Sequence, residues 1–538
     1  MTAAPHPAMH GVLPVGGTSE LEWAYVLILL PIWVSLFRRR AGLWSYALAM
    51  PYCAFVLIIC GTVWTLCGER AATWLLAIPI RVFSLDPSTV TYDAGILFVL
   101  GVGYLSGRLR VANPDEPRHH RGTHLYAGPA RTGRDRRPPN PNALSLAGIP
   151  VPPLDETKHF KLIGTTGTGK STAIRELLGG ALRRGDRAVI ADPDGGYLAR
   201  FHDPKRGDVI LNPFDSRSVK WDLFGEIKNP YDFELLARSL IPEGGSADPV
   251  WQRYAQTFLS AAMREVHGTG VRDLAELYRL LTSATPEELR VMLKGTPAQP
   301  FLEPGNERMF GSIRSVVGSA VAALDFIQNQ QAALFSIRQW IKENRGVLFL
   351  PYQADQIAAL RAIISTWMRI AIFETMSLGE GDLRLWFIVD ELDALGQIDG
   401  LKDALARLRK FGGRCVLGFQ SIAQVSGTYG RSDAETIVEN CGNTLILRCS
   451  ASENGGTARF ASKLIGDREI IRKQVSRSRE LGKLFSSNET VSHHHVTEAA
   501  VLPSQIEQLA DLEGYFKLAS QPRWIAVKLP TPHRTRLH

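Results

Sequence analysis

Residues 160–178 read Phe160-Lys161-Leu162-Ile163, then Gly164-Thr165-Thr166-Gly167-Thr168-Gly169-Lys170-Ser171, then the helix-forming stretch Thr172–Leu178. The middle eight residues are a complete phosphate-binding loop, G-x-x-x-x-G-K-S, with a strand expected before it and a helix after it. The glycines let backbone N–H groups curl around a triphosphate, and the helix N-terminus adds the positive end of its dipole. Gly164, Thr165, Thr166, Gly167, Thr168, Gly169, Lys170, Ser171 and Thr172 are therefore the expected nucleotide contacts. Lys170 would reach the β- and γ-phosphates, and the Ser171 hydroxyl would bind Mg²⁺. The chain is expected to bind ATP or GTP.

Outward from the loop, short runs rich in Val, Ile, Leu and Phe recur at Ala188–Ala191, Val209–Leu211, Gly346–Leu350, Leu383–Val389, Arg414–Gly418 and Thr444–Arg448. Charge-poor β runs between helical stretches predict a buried parallel sheet, an α/β nucleotide-binding core. Between Asn229 and about Gln330 the strand signals stop, and Asp232–Leu240, Val250–Val266, Val271–Thr282, Pro286–Lys294 and Glu307–Gln328 carry apolar residues at helical spacing. An all-α domain is thus expected to interrupt the core.

A phosphate-binding loop needs a carboxylate on a neighbouring strand for the Mg²⁺ shell, and Leu385–Val389 ends in Asp390-Glu391. Asp390 is the expected metal residue, and Glu391 the expected base for the water attacking the γ-phosphate. Two adjacent acids at a buried strand tip are costly unless a metal or substrate compensates them. Gln420 ends the next strand and is placed to sense the γ-phosphate. Leu401–Phe411 is expected to be a helix carrying Arg407, Arg409 and Lys410, and Arg409 is the candidate arginine finger acting on a neighbouring subunit.

At 538 residues the chain has room for about three domains. Its first 107 residues are strongly apolar, and Leu43–Cys67 holds no charged residue, which exceeds the about 20 residues needed to cross a bilayer. Leu21–Phe37 and Ala94–Gly107 are shorter candidates, and Ala71–Phe83, with Arg81, reads as interfacial. Arg38–Arg40 and Arg108, Arg110, Arg118 and Arg121 flank the set, so by the positive-inside rule everything after about residue 108 is expected to be cytoplasmic. Residues 108–137 hold eight arginines in a Pro-, Gly- and His-rich linker suited to anionic headgroups. The net charge of +8 leans towards nucleic acid or an anionic membrane. Cys53, Cys60 and Cys67 share one face of the longest span, and Cys415, Cys441 and Cys449 lie in apolar runs without a C-x-x-C partner, so neither disulfide framework nor zinc site is implied. His493–His495 is expected in an exposed loop.

The stretches GTTGTGKST (164–172), RGDRAVIADPDGGYLARF (184–201), DVILNPFDSRSVKWDLFGEI (208–227), LWFIVDELDAL (385–395) and LRKFGGRCVLGFQSIAQ (408–424), in this order around a helical insertion, resemble the type IV secretion coupling proteins, especially the TrwB/TraD group of conjugation motors. The resemblance covers about residues 155–530. It implies a RecA-like P-loop NTPase core (154–228 and 330–530) with an inserted all-α domain (229–329). A linker (112–153) and an N-terminal transmembrane anchor of two or three spans (1–111) would precede them. It further implies a bacterial inner-membrane ATPase using ATP and Mg²⁺, working as a homo-hexamer that joins relaxase-bound DNA to the secretion channel and pumps single-stranded DNA. Lys170 and Ser171 map to the phosphate-loop residues, Asp390 to the metal acid, Glu391 to the catalytic acid and Gln420 to the polar residue after the following strand. Arg409 falls at or next to the finger position. The chain stops soon after the core, without the long C-terminal extension that some members use on the relaxosome, so substrate recognition is expected to rest on the all-α domain or the anchor. Two rival readings are an FtsK-like double-stranded DNA translocase, for whose winged helix the residues after Pro503 leave little room, and a nucleotide-gated docking receptor that moves no DNA.

Overall fold

The computed structural model describes residues 29–36, 51, 118–127, 143–243, 249–343, 345–381, 383–452, 455–479 and 487–530. The chain divides into two compact units, residues 1–118 with 471–496, and residues 119–470 with 497–538. In the first, residues 29–36 are helical with Ile32 and Leu36 buried and Leu30 and Val34 exposed. The apolar segments read as an anchor otherwise lie outside the described residues, apart from Pro51. His493–His495 lie not in a loop but on the strand Ser487–Ala499, all three exposed. The β-branched neighbours Thr490, Val491, Val496 and Thr497 favour that extended backbone.

The second unit is built on a ten-stranded sheet. In chain order its strands are β1 (Leu125–Ala127), β2 (Phe160–Ile163), β3 (Arg187–Pro193), β4 (Val209–Ile210), β5 (Val347–Tyr352), β6 (Leu385–Val389), β7 (Gly413–Phe419), β8 (Asn443–Ile446), β9 (Glu513–Lys517) and β10 (Trp524–Lys528). Their spatial order is β1-β10-β9-β8-β2-β7-β6-β3-β5-β4. From β8 to β4 all neighbours are parallel. At the other side β9 pairs antiparallel with β8 and β10, and β1 closes that edge parallel to β10.

Strands β2, β5, β6, β7 and β8 are buried along their whole length. This is why β5 and β6 read as continuous apolar runs rather than alternating ones, while Lys161, Arg414, Asn443 and Thr444 interrupt the pattern in β2, β7 and β8. Successive residues still serve opposite faces. Phe160, Leu162, Trp386 and Ile388 pack with Ala173, Ile174 and Leu177 of helix α1 (Lys170–Arg183), while Ile163, Phe387 and Val389 face the other layer. The stretch read as a linker contributes to the fold, since besides β1 it supplies the hairpin Leu144–Leu146 with Ile149–Val151, whose buried leucines pack against α1.

The other layer includes α2 (Asp232–Leu240), α3 (Val250–Gly268), α4 (Leu274–Thr282), α5 (Pro286–Met292) and α6 (Glu307–Gln328), together with α7 (Ile357–Ser377). Asp273 caps α4 by accepting from the Ala275 N–H, and Thr285 caps α5 ahead of Pro286. In α4, Leu274, Leu277, Leu280 and Leu281 form the buried stripe that the spacing predicts. Among the described residues α6 alone is long and apolar enough to cross a membrane; its buried face, Phe310, Ile313, Val317, Val321, Leu324 and Ile327, packs within this layer.

The chain leaves and re-enters the core along one neck. Lys220–Trp221 pairs parallel with Leu334–Phe335, and buried Glu226 accepts from the Ile337 and Arg338 N–H groups at 2.6 and 3.1 Å. Arg338 pairs with Asp232, and Lys228 with Glu374 of α7.

Candidate nucleotide-binding site

Strand β2 delivers the chain into the loop 164–169, and α1 begins at Lys170. Gly167 and Gly169 take φ of 78° and 116°, a region costly to side chains. At Gly169 a Cβ would also crowd the side-chain methyls of Leu529 and Leu512, at 2.8 and 2.9 Å. The loop is held at both ends. The Thr165 N–H donates to the Arg448 carbonyl at 2.9 Å, and the Leu512 N–H donates to the Thr168 carbonyl at 3.0 Å. Lys170 is buried and its ammonium donates to the Gly164 and Thr165 carbonyls at 2.7 and 3.2 Å. Burial lowers its pKa, and the nearby Asp390 and Glu391 carboxylates work against that shift.

Strand β7 lies between β2 and β6, so the phosphate loop and the acidic tip of β6 face each other across one strand. Asp390 is 3% exposed, and its Oδ2 accepts from the Ser171 hydroxyl at 2.6 Å and the Tyr197 hydroxyl at 2.8 Å. Its Oδ1 is buried without a partner. An ionised oxygen left unsatisfied in the interior is costly. Beside a phosphate-loop hydroxyl, it fits a divalent cation, which would take Asp390 and Ser171 as its protein partners.

Glu391 is half-buried, and desolvation first and the Asp390 charge second raise its pKa. Gln420, at the tip of the intervening strand, joins the two halves. Its amide donates to Glu391 Oε1 at 3.1 Å, while its carbonyl accepts from Thr166 Oγ1 at 3.0 Å. Thr172, one residue past Ser171, is half-buried on the first turn of α1.

Arg409 is not brought to this site within its own chain. It sits exposed on the turn Arg409–Phe411 after α8 (Leu401–Leu408) and lines a cavity of about 340 Å³ with Lys158, His159, Glu439 and Asn440. Lys158 and His159 precede β2 whereas the phosphate loop follows it, so the length of that strand separates Arg409 from the loop.

Two residues had no signal as site residues in the sequence. The parallel register pairs Val389 with Ala191, which sets Asp192 beside Asp390 at adjacent strand tips. Asp192 is spent on backbone, accepting from the Tyr197 N–H at 3.0 and 3.1 Å and the Leu198 N–H at 2.6 Å, and burial pushes its carboxyl up to about 6. That turn in turn presents Tyr197 to Asp390.

The chain is similar in sequence and fold to known proteins. Residues 143–530 match the family described as the type IV secretion-system coupling protein DNA-binding domain. The coupling protein TraD of Escherichia coli K12 is 33% identical over 401 residues, which are 73% of this chain and 55% of that protein. A conjugal transfer protein TraG of Escherichia coli is 23% identical over 394 residues, 65% of this chain and 61% of that protein. The chain thus spans little more than half the length of these curated relatives. Among solved structures, the plasmid coupling protein TrwB in complex with ADP and Mg²⁺ superposes with a TM-score of 0.68 at 32% identity, covering 79% of this chain and 98% of that one. The same protein with a non-hydrolysable ATP analogue gives 0.67 at 32% identity, covering 80% and 98%. With a phosphate loop, an acidic strand tip and a helical insertion on one RecA-like sheet, the chain belongs to the type IV secretion-system coupling proteins.

Proposed function

We propose that the chain is an ATP-hydrolysing motor of the bacterial inner membrane that joins relaxase-bound DNA to a type IV secretion channel and pumps single-stranded DNA during conjugation. The observation that carries the reading is the 2.6 Å bond between Ser171 and Asp390, with an unpartnered Asp390 oxygen and a proton-hungry Glu391 alongside. TrwB, solved with ADP and Mg²⁺, supports the same ligands here.

Asp390 and Ser171 would hold Mg²⁺, which when bound supplies positive charge against the charge developing on the phosphates. Lys170 would trade the Gly164 and Thr165 carbonyls for the β- and γ-phosphates, relieving the desolvation of its ammonium. Gln420, already spanning Thr166 and Glu391, would turn its amide towards the γ-phosphate and so report its presence to the base. Glu391, half-buried and raised in pKa, would accept the proton of the attacking water. Arg409 would complete the charge stabilisation only from a neighbouring subunit, which favours a ring, and a homo-hexamer would enclose DNA. The apolar segments before residue 108 support a membrane anchor with the motor on the cytoplasmic side.

The test is ATP hydrolysis by the full chain in detergent, with and without single-stranded DNA, across a salt series. Stimulation by DNA that fades as salt rises is expected from backbone-tracking binding. Glu391→Gln should keep nucleotide bound and lower turnover by about 10²–10⁴-fold, the usual contribution of a positioned base. Lys170→Ala should weaken binding and turnover together. An oligomeric preparation whose hydrolysis ignores DNA would replace the motor with a nucleotide-gated docking receptor.

A further inference from the structure

Tyr197 is 1% exposed, and three separate contacts fix it. Its backbone N–H is held by both oxygens of Asp192, its ring lies with the Arg175 guanidinium 5.4 Å from the centroid, and its hydroxyl donates to Asp390 Oδ2. Arg175 stands on α1, the helix that also presents Lys170 and Ser171. The tyrosine is therefore tied both to the phosphate-loop helix and to the strand tip that carries the acid.

An aspartate carboxylate turns easily about its last torsion. Two donors hold Asp390 by one oxygen, Ser171 and Tyr197, and leave Oδ1 for a cation. They are not equivalent. Ser171 is the phosphate-loop hydroxyl that a bound cation would claim, and its bond to Asp390 would then be given up. Tyr197 stands outside the phosphate loop, so its bond to Oδ2 need not be given up when a cation takes the serine. We infer that Tyr197 is a positioning residue for the metal-binding carboxylate, fixing which oxygen of Asp390 faces the cation before nucleotide arrives. Asp192, by this reading, is no second metal ligand; it is the clasp that sets the tyrosine's backbone. This inference rests on the Mg²⁺–nucleotide reading of the site.

The test reads metal binding without turnover. Fluorescent ADP is titrated onto the full chain in detergent at increasing Mg²⁺, for the wild type, Tyr197→Phe and His159→Gln. The last variant sits at the far end of β2 and controls for lost stability alone. Removing an outer partner of a metal ligand typically costs 10–100-fold in metal affinity. Tyr197→Phe is therefore expected to need about 10–100-fold more Mg²⁺ for half-maximal ADP binding, with ADP affinity in EDTA unchanged and saturation restored at high Mg²⁺. His159→Gln is expected to keep the wild-type midpoint. A Tyr197→Phe midpoint equal to the wild type's, or equal shifts in both variants, would overturn the assignment. Wild-type protein whose ADP binding ignores Mg²⁺ would instead overturn the reading of the site itself.

Discussion

Burial turns His159 into a group that resists protonation. The Cys415 N–H donates to its Nδ1 at 3.0 Å, so the ring proton resides on Nε2 and donates to the Leu405 carbonyl at 3.0 Å. A second proton would have to enter at Nδ1, break the first bond and bring a charge into the interior beside Arg409 and Arg414. Desolvation above all lowers the pKa from 6.5 to about 4. Between those values the unfolded chain binds the proton and the folded chain does not, so this residue's contribution to stability falls as pH falls from 6.5 towards 4. The span corresponds to about 3 kcal/mol at 1.36 kcal/mol per unit. Urea unfolding at several pH values should show the wild type losing about that much more than His159→Gln between pH 7.5 and 4. Parallel curves for the two proteins would show that the folded ring takes up its proton as readily as the unfolded one.

Strand β2 carries the same lesson one level up, because its pattern is broken by a lysine that the fold then uses. Lys161 is buried, and its ammonium donates to the Val438 and Cys441 carbonyls at 2.9 and 2.6 Å, closing the C-terminal end of the helix Arg431–Asn440. A cation suits that end of a helix, where carbonyls lack intrahelical donors. Lys161→Met keeps the volume but strands both carbonyls, at a cost of about 1–3 kcal/mol. Amide exchange at this helix end, residues 437–441, should quicken ahead of that in the sheet. Unchanged exchange and an unchanged unfolding midpoint would show that water replaces the lysine without cost. The parallel strands were legible because burial on both faces demands unbroken Val, Ile, Leu and Phe, and Lys161 did not hide β2. Leu125–Ala127 was not, since three residues in a Pro- and Arg-rich stretch join the sheet only through pairing with Trp524–Ala526, about four hundred positions on. The phosphate loop, Asp390 and Glu391 stand out by local motif. Tyr197 does not, because what places it beside Asp390 is the register of β3 against β6, a long-range fact with no local signature.

For the whole molecule, the position of Arg409 becomes a statement about assembly. An exposed arginine that β2 separates from its own phosphate loop reaches a γ-phosphate only if copies of the chain pack head to tail, the heterologous contact that closes into a ring. A finger in trans contributes about 10³–10⁵-fold to turnover, so Arg409→Ala should hydrolyse almost nothing while still binding nucleotide. The decisive experiment mixes two inactive proteins. Arg409→Ala subunits keep Glu391, and Glu391→Gln subunits keep the arginine. In a ring assembled from both, about a quarter of the interfaces join an intact site to an intact finger, given random head-to-tail order. Hydrolysis should therefore reappear on co-assembly of the two variants, and be absent when each is assembled alone and the rings are mixed without exchange. If the co-assembled sample stays inactive although mass measurement shows mixed rings, Arg409 acts within its own chain or not at all, and Arg407 and Lys410, exposed on the same segment, become the residues to exchange next.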